Sequence, residues 1–174
     1  SEVKGIAEKL NLRNIPLKAP ELKKFEISYF NQSFQSQPGG DFIDFIKIDE
    51  RYTFVILGDV MGKKWGAWFF SFSYLSYIRS AIRLCVFDGN VSLSIILNKL
   101  NRVIFADELL SDIFSTVSIV LLDDENGRVC YSGAGDLPVL KFKHDESELV
   151  TFQSDGILLG FSEHVNYTEV EIGL

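Results

Sequence analysis

The chain has 174 residues, 47% of them apolar, with 24 acidic against 17 basic side chains and a net charge of −7. That length and apolar share suit one domain with a real core, and 15 Phe, six Tyr and two Trp argue against disorder. The acidic balance argues against nucleic acid or an anionic membrane as partner, because both need basic surface.

Two cysteines far apart in sequence, Cys85 and Cys130, form neither a disulfide framework nor a metal-ligand spacing, and a reducing cytoplasmic compartment is expected. The first ten residues carry charges throughout and lack the apolar stretch of a signal peptide. Because the chain opens on Ser1, a segment of a longer protein is expected, with residues 1–14 the end of an upstream linker or regulatory helix and 15–174 the domain.

Val3, Ile6 and Leu10 share one face of a short helix, which Pro16 and Pro20 end. Phe25, Ile27 and Tyr29 alternate with Lys24, Glu26 and Ser28, which predicts a half-buried strand over 24–29. After Pro38-Gly39-Gly40, apolar runs at 42–48 and 52–58 flank Asp49-Glu50-Arg51 as in a hairpin, the second run reading as a central strand. Residues 65–87 predict a long aromatic helix, apolar nearly all round and so buried against protein. Its uncharged stretch is too short to span a bilayer. Trp65 and Trp68 read as core or interface residues. Gly89-Asn90 ends this helix, and Leu93, Ile96, Leu97, Leu100 and Ile104 line a second one. Strands follow at 113–122, 128–132, 138–143, 148–152 and 167–173. Strands, two helices, then strands again imply layered antiparallel sheets with helices packed outside them, an α+β fold. Asp123 and Asp124 read as a solvated turn, Cys85 and Cys130 as helix and strand residues, and His144 and His164 as surface residues.

Three acids stand apart from solvated faces. Asp41 follows Gly39-Gly40, Asp44 comes three residues on, and Asp59 ends the apolar run 52–58 between Gly58 and Gly62. A carboxylate at the end of an apolar strand needs a partner, and no cation is interleaved in that strand. A hard divalent ion would serve, Mg²⁺ or Mn²⁺, with the Val60 carbonyl as a further oxygen ligand. The other reading is that Asp59 caps the following helix while Asp41 and Asp44 hydrogen-bond in a glycine turn. Lys63 and Lys64 oppose the dipole at the expected helix start. They either recruit an anion such as substrate phosphate or simply solvate the helix end.

GGDFIDF at 39–45 followed by LGDVMGKKWGA at 57–67 resembles the SpoIIE/RsbU-type branch of the metal-dependent PPM (type-2C-like) protein phosphatases. The likeness continues through FSTVSIVLLDDENGRVCYSGAGDLPVL at 114–140 and GILLGF at 156–161. The resemblance implies a four-layer α-β-β-α sandwich with a two-metal site at one edge of the sheets. Asp41 and Asp59 would be metal ligands, Val60 the carbonyl ligand and Asp44 a weaker candidate. It implies hydrolysis of phosphoserine or phosphothreonine by two-metal activation of water. The substrate would be a signalling protein, typically an anti-sigma-factor antagonist in a partner-switching pathway. A sensor domain upstream in the same chain and a homodimer are further expectations. Lys64 stands where the family has Gly, and Asp136 where it usually has His. A T-D-G segment and a final Asp, the family's remaining acidic ligands, are expected to lie beyond Leu174. Asp155-Gly156 precedes ILLG and does not fit that segment. The changed loop residues leave a second reading, a pseudophosphatase retained as a protein-binding signalling module.

Overall fold

The computed structural model describes residues 2–9, 12–32, 39–62 and 64–173. A short helix, α1 (Glu2–Lys9), opens the chain. Ile6 of its expected apolar face is half exposed, while Leu10 and the Val3 side chain lie outside the described residues. The rest alternates as the sequence implies: β1 (Asp41–Lys47), β2 (Tyr52–Val60), α2 (Lys64–Phe87), α3 (Leu93–Phe105), then β3 (Ser115–Asp123), β4 (Arg128–Ala134), β5 (Val139–Lys143), β6 (Glu148–Phe152) and β7 (Val170–Ile172).

Five strands form one antiparallel sheet in the order β1-β2-β3-β4-β7, and β5 and β6 pair as a separate two-stranded sheet. The period of two sets what each face carries. Phe42, Phe54, Ile56, Val117, Ile119 and Leu121 point to one side and meet Tyr74, Leu75, Ile78 and Ile82 of α2 and Leu97, Leu100 and Ile104 of α3. The opposite face is thinner, with Leu122, Val129, Tyr131 and Ile172 covered by Val139 and Phe152 of the small sheet and by Leu22, Phe25 and Ile27. Helices, large sheet and small sheet thus make three successive layers of an α+β fold.

The connection from β1 to β2 is tight because Asp49 Oδ1 accepts from the main-chain N–H of Arg51 and Tyr52, at 2.8 and 2.7 Å. α2 ends where its residues run out into Gly89, whose φ of +75° needs no Cβ, with Asn90 N–H returning to the Cys85 carbonyl. α3 starts at the Ser92 cap. There the Glu169 carboxylate accepts from the Ser92 hydroxyl and the Ser94 N–H, at 2.9 and 3.0 Å, tying the helix to the approach of β7.

Four expectations are corrected. Residues 24–29 join no strand ladder. Phe25, Ile27 and Tyr29 are half-buried and their neighbours exposed, so the alternation is real, but it records one buried face and not a hydrogen-bonded partner. Asp123 and Asp124 are buried, not solvated. Asp123 is gripped by the Arg51 guanidinium at 3.0 and 2.8 Å, and Asp124 accepts from the Lys23 and Lys24 N–H groups at 2.7 and 2.6 Å. The last strand is shorter than 167–173 because Tyr167 is drawn into the core, its hydroxyl donating to the Ile157 carbonyl. α2 is not covered all round, since Phe69, Leu84 and Phe87 are exposed on its outer side. Trp68 is buried, whereas the Trp65 side chain lies outside the description. His144 and His164 are exposed, as expected. Among the described residues no helix is long and apolar enough to cross a membrane.

Candidate metal centre

Antiparallel pairing places Asp41 directly opposite Asp59 at the open end of the β1–β2 hairpin. Directly opposed residues project to the same face of a sheet. Since Phe42 and Val60, their chain neighbours, face the helices, both carboxylates lie on the other side, where both residues are exposed. Partial desolvation at the strand end raises the Asp59 carboxyl from its ordinary value, and the Asp41 charge raises it further. Two like charges are held side by side, a cost that a cation between them would reverse.

Local sequence builds this mouth. A Cβ on Gly40 would lie 2.2 Å from the Val60 carbonyl oxygen and 2.9 Å from Asp59 Oδ1, so only glycine lets the turn before Asp41 close onto Asp59-Val60. The Val60 N–H donates to the Gly40 carbonyl at 3.2 Å across the same gap. The Asp59 backbone is held from β3: its N–H donates to Thr116 Oγ1 at 3.1 Å and its carbonyl accepts from Ser115 Oγ at 3.0 Å. Asn14 clamps the other lip, its amide donating to the Asp41 carbonyl at 2.9 Å and to Ser71 Oγ of α2 at 3.1 Å. Sequence reasoning gave Asn14 no role, because a polar residue before Pro16 carries no periodic signal.

The donor set is all oxygen: two carboxylates, with the Val60 carbonyl oxygen as close to the Gly40 turn as Asp59 Oδ1. It fits a hard divalent ion. Among the described residues no three His, Cys, Asp or Glu side chains converge to hold a metal, so Asp41 and Asp59 stand as a pair.

Asp44, the third acid expected here, lies on the other face of the sheet. Three positions from Asp41 is an odd step along a strand, so Asp44 shares the helix-facing side with Phe42 and Ile46. There the Arg79 Nε donates to Asp44 Oδ2 at 2.6 Å. Lys63 lies outside the described residues. Lys64 is the first helical residue of α2, with its side chain outside the description. Asp155 is exposed in the loop after β6, away from any strand ladder.

The family model of stage II sporulation protein E (SpoIIE) matches residues 49–174. The chain belongs to the SpoIIE family. It is 25% identical to protein IcfG of Synechocystis over 175 residues, covering 88% of this chain and 27% of that one. The fold resembles the PP2C phosphatase domain of SpoIIE from Bacillus subtilis, with a TM-score of 0.63 and 17% identity over 78% of this chain and 38% of that one. It also resembles the SiaA PP2C domain of Pseudomonas aeruginosa, with a TM-score of 0.65 and 16% identity over 79% of this chain and 54% of that one. The chain therefore spans between about a quarter and about half of the length of these relatives. Its α+β architecture is that of the PP2C phosphatases, and the family is the SpoIIE/RsbU branch expected from the motifs.

In this SpoIIE-family chain the loop after β4 carries Asp136 in a specific setting. Asp136 Oδ2 accepts from the Ser118 and Tyr131 hydroxyls, both at 2.5 Å, and its other oxygen is buried without a partner. Gly133 makes the room, since a Cβ there would lie 2.0 Å from Asp136 Oδ1. Ser118 is on the same sheet face as Asp59, two residues along β3 from Asp59's partner Thr116. Asp136 thus ties its loop down onto that face.

Proposed function

We propose that this chain is part of a metal-dependent protein serine/threonine phosphatase domain acting on a phosphorylated signalling protein in the cytoplasm. That substrate is an anti-sigma-factor antagonist, with a sensor upstream in the same chain. The observation that carries the reading is the Asp41–Asp59 pair, opposed on the exposed face with the Val60 carbonyl beside it. Asp59 is the better placed to bridge, because β3 holds its backbone at both the N–H and the carbonyl. Mg²⁺ or Mn²⁺ held by Asp41, Asp59 and Val60 would supply Lewis-acid polarisation of the phosphoryl group and a water nucleophile at neutral pH.

The chain's own residues orient the carboxylates. Gly40 brings the two strands' ends together, and Asn14 locks the Asp41 backbone to α2. Lys64, the first residue of α2, and Lys63, which precedes it in the sequence, would draw the phosphate by charge. The test is turnover of a phosphoserine peptide by the full-length protein with Mn²⁺, with Mg²⁺ and with chelator. Asp59→Asn is expected to abolish metal-dependent turnover while the fold persists. Turnover that survives the substitution refutes the assignment.

A second reading, a pseudophosphatase kept for protein binding, is supported by Asp136, which stands where the family usually has His and is tied by Ser118 and Tyr131 onto the sheet face. Calorimetry with Mn²⁺ separates the two. The phosphatase reading requires saturable binding to the full-length protein that Asp41→Asn removes, and the binding module requires none.

A further inference from the structure

Acidic and basic residues are not mixed evenly over the molecule. α2 and α3 together contain Lys64, Arg79, Arg83, Lys99 and Arg102 and no Asp or Glu at all. All 24 acidic residues of this net −7 chain therefore lie outside the two long helices. Charge separation of this degree makes the helical layer a positive surface on a negative protein.

That surface is also apolar and grooved. α2 and α3 are joined by a short connection and lie side by side, and a cleft of about 650 Å³ runs between their solvent sides. Tyr77, Ala81 and Leu84 of α2, with Asp88 just past its end, form one wall, Lys99 and Val103 of α3 the other, with Cys85 and Leu100 between them. Leu84 is 62% exposed and Val103 51%, and Phe87 beyond the end of the cleft is 78% exposed. Apolar side chains this open, in a row, mark a contact surface. The wall from Tyr77 to Asp88 is about 16 Å long, three helical turns, at 1.5 Å per residue.

The charges on the rim say what fits. Lys99 and Arg102 both line the cleft and are exposed, and among the described residues neither makes an ion pair with a carboxylate. Arg79 is already committed to Asp44, and Asp88 is the single carboxylate lining the cleft. An apolar groove between two helices, lined by unmatched cations, suits a third helix that buries leucine-like side chains and sets carboxylates against Lys99 and Arg102.

We propose that the groove between α2 and α3 is a docking site for an acidic amphipathic helix of a partner protein. The site lies on the side of the large sheet away from Asp41 and Asp59 and does not depend on the phosphatase reading. The net charge of −7 works against an acidic partner on the molecule as a whole, so basic helices without acids favour this face for it.

The probe is a fluorescent synthetic helix of about four turns, with leucines at positions i, i+3, i+4 and i+7 and glutamates elsewhere, read by anisotropy against this protein. Its counterpart carries lysine at every glutamate. The acidic peptide is expected to bind saturably and to weaken as salt is raised. Leu84→Glu, and separately the pair Lys99→Glu with Arg102→Glu, should each weaken it by about tenfold or more. All three sites face solvent or rim the cleft, so circular dichroism should report an unchanged fold. The proposal is overturned if the acidic peptide does not bind, if the lysine peptide binds equally well, or if binding survives both sets of substitutions. It is likewise overturned if the protein ignores the peptide but co-sediments with vesicles of equal parts phosphatidylserine and phosphatidylcholine, which would make the face a membrane surface.

Discussion

The two faces of the five-stranded sheet are finished very differently. Toward the helices, β1 to β3 bury Phe42, Phe54, Ile56, Val117 and Ile119 completely, and the carboxylates on that side, Asp44, Asp123 and Glu171, are paired with Arg79, Arg51 and Arg128. On the other face four of the described residues form a buried cluster, and its open end presents Asp41 and Asp59 as an uncompensated pair. The same strands, alternating residue by residue, supply both. One face is spent on stability and the other is left free to bind.

If that division holds, truncations should separate the faces. Ile78→Ala, in the fully buried helix side, is expected to cost about 4 kcal/mol in a urea melt. Val139→Ala, half-buried on the thin side, should cost about 1 kcal/mol. Equal losses would mean that the second face carries as much of the fold as the first.

Asp123 comes next in size. Arg51 holds its carboxyl well below the ordinary value of 3.8, against an opposing effect of burial. A depressed carboxylate adds stability that is present above its unfolded value and lost as pH falls through the folded one. Asp123→Asn should thus cost roughly 2 kcal/mol at neutral pH. The wild-type protein should lose that margin only below about pH 4. A variant as stable as the wild type at pH 7 would show that the buried turn needs no charge.

Asp44 and Asp59 form the sharpest contrast, two acids on adjacent strands and opposite faces. Asp44→Asn should cost about 1 kcal/mol through the Arg79 pair and leave Mn²⁺ affinity unchanged. Asp59→Asn should do the reverse. Relief of the repulsion with Asp41 should raise stability without metal by roughly half a kcal/mol, while calorimetry should show Mn²⁺ binding lost. Loss of Mn²⁺ affinity in Asp44→Asn would place that residue at the metal after all, contradicting the parity of β1.

Much of this was legible in the chain. Runs with a period of two located the β1–β2 hairpin and β3 to β6, and the 3.6 period located α2 and α3, because both patterns report burial directly. GGDFIDF and the glycines around Asp59 singled out the acid pair, since only a close backbone approach explains glycine there. The same reading failed at 24–29, where alternation recorded burial without pairing. It failed also at Asp123 and Asp124, where turn composition said nothing of Arg51 and the Lys23–Lys24 backbone arriving from elsewhere in the chain.

By itself, then, the sequence determined which segments are helix and strand, which side of each is apolar, and that Asp41, Asp44 and Asp59 are unusual acids. It also carried the absence of acidic residues from both long helices. Tertiary structure decided the rest. Register, which depends on how two distant strands slide into pairing, placed Asp41 opposite Asp59. Parity along the paired strand then sent Asp44 to Arg79. Packing of α2 against α3 turned scattered Leu84, Lys99 and Val103 into a single groove. Each of these is a relation between residues remote in the chain, set by long-range contacts that no local period encodes.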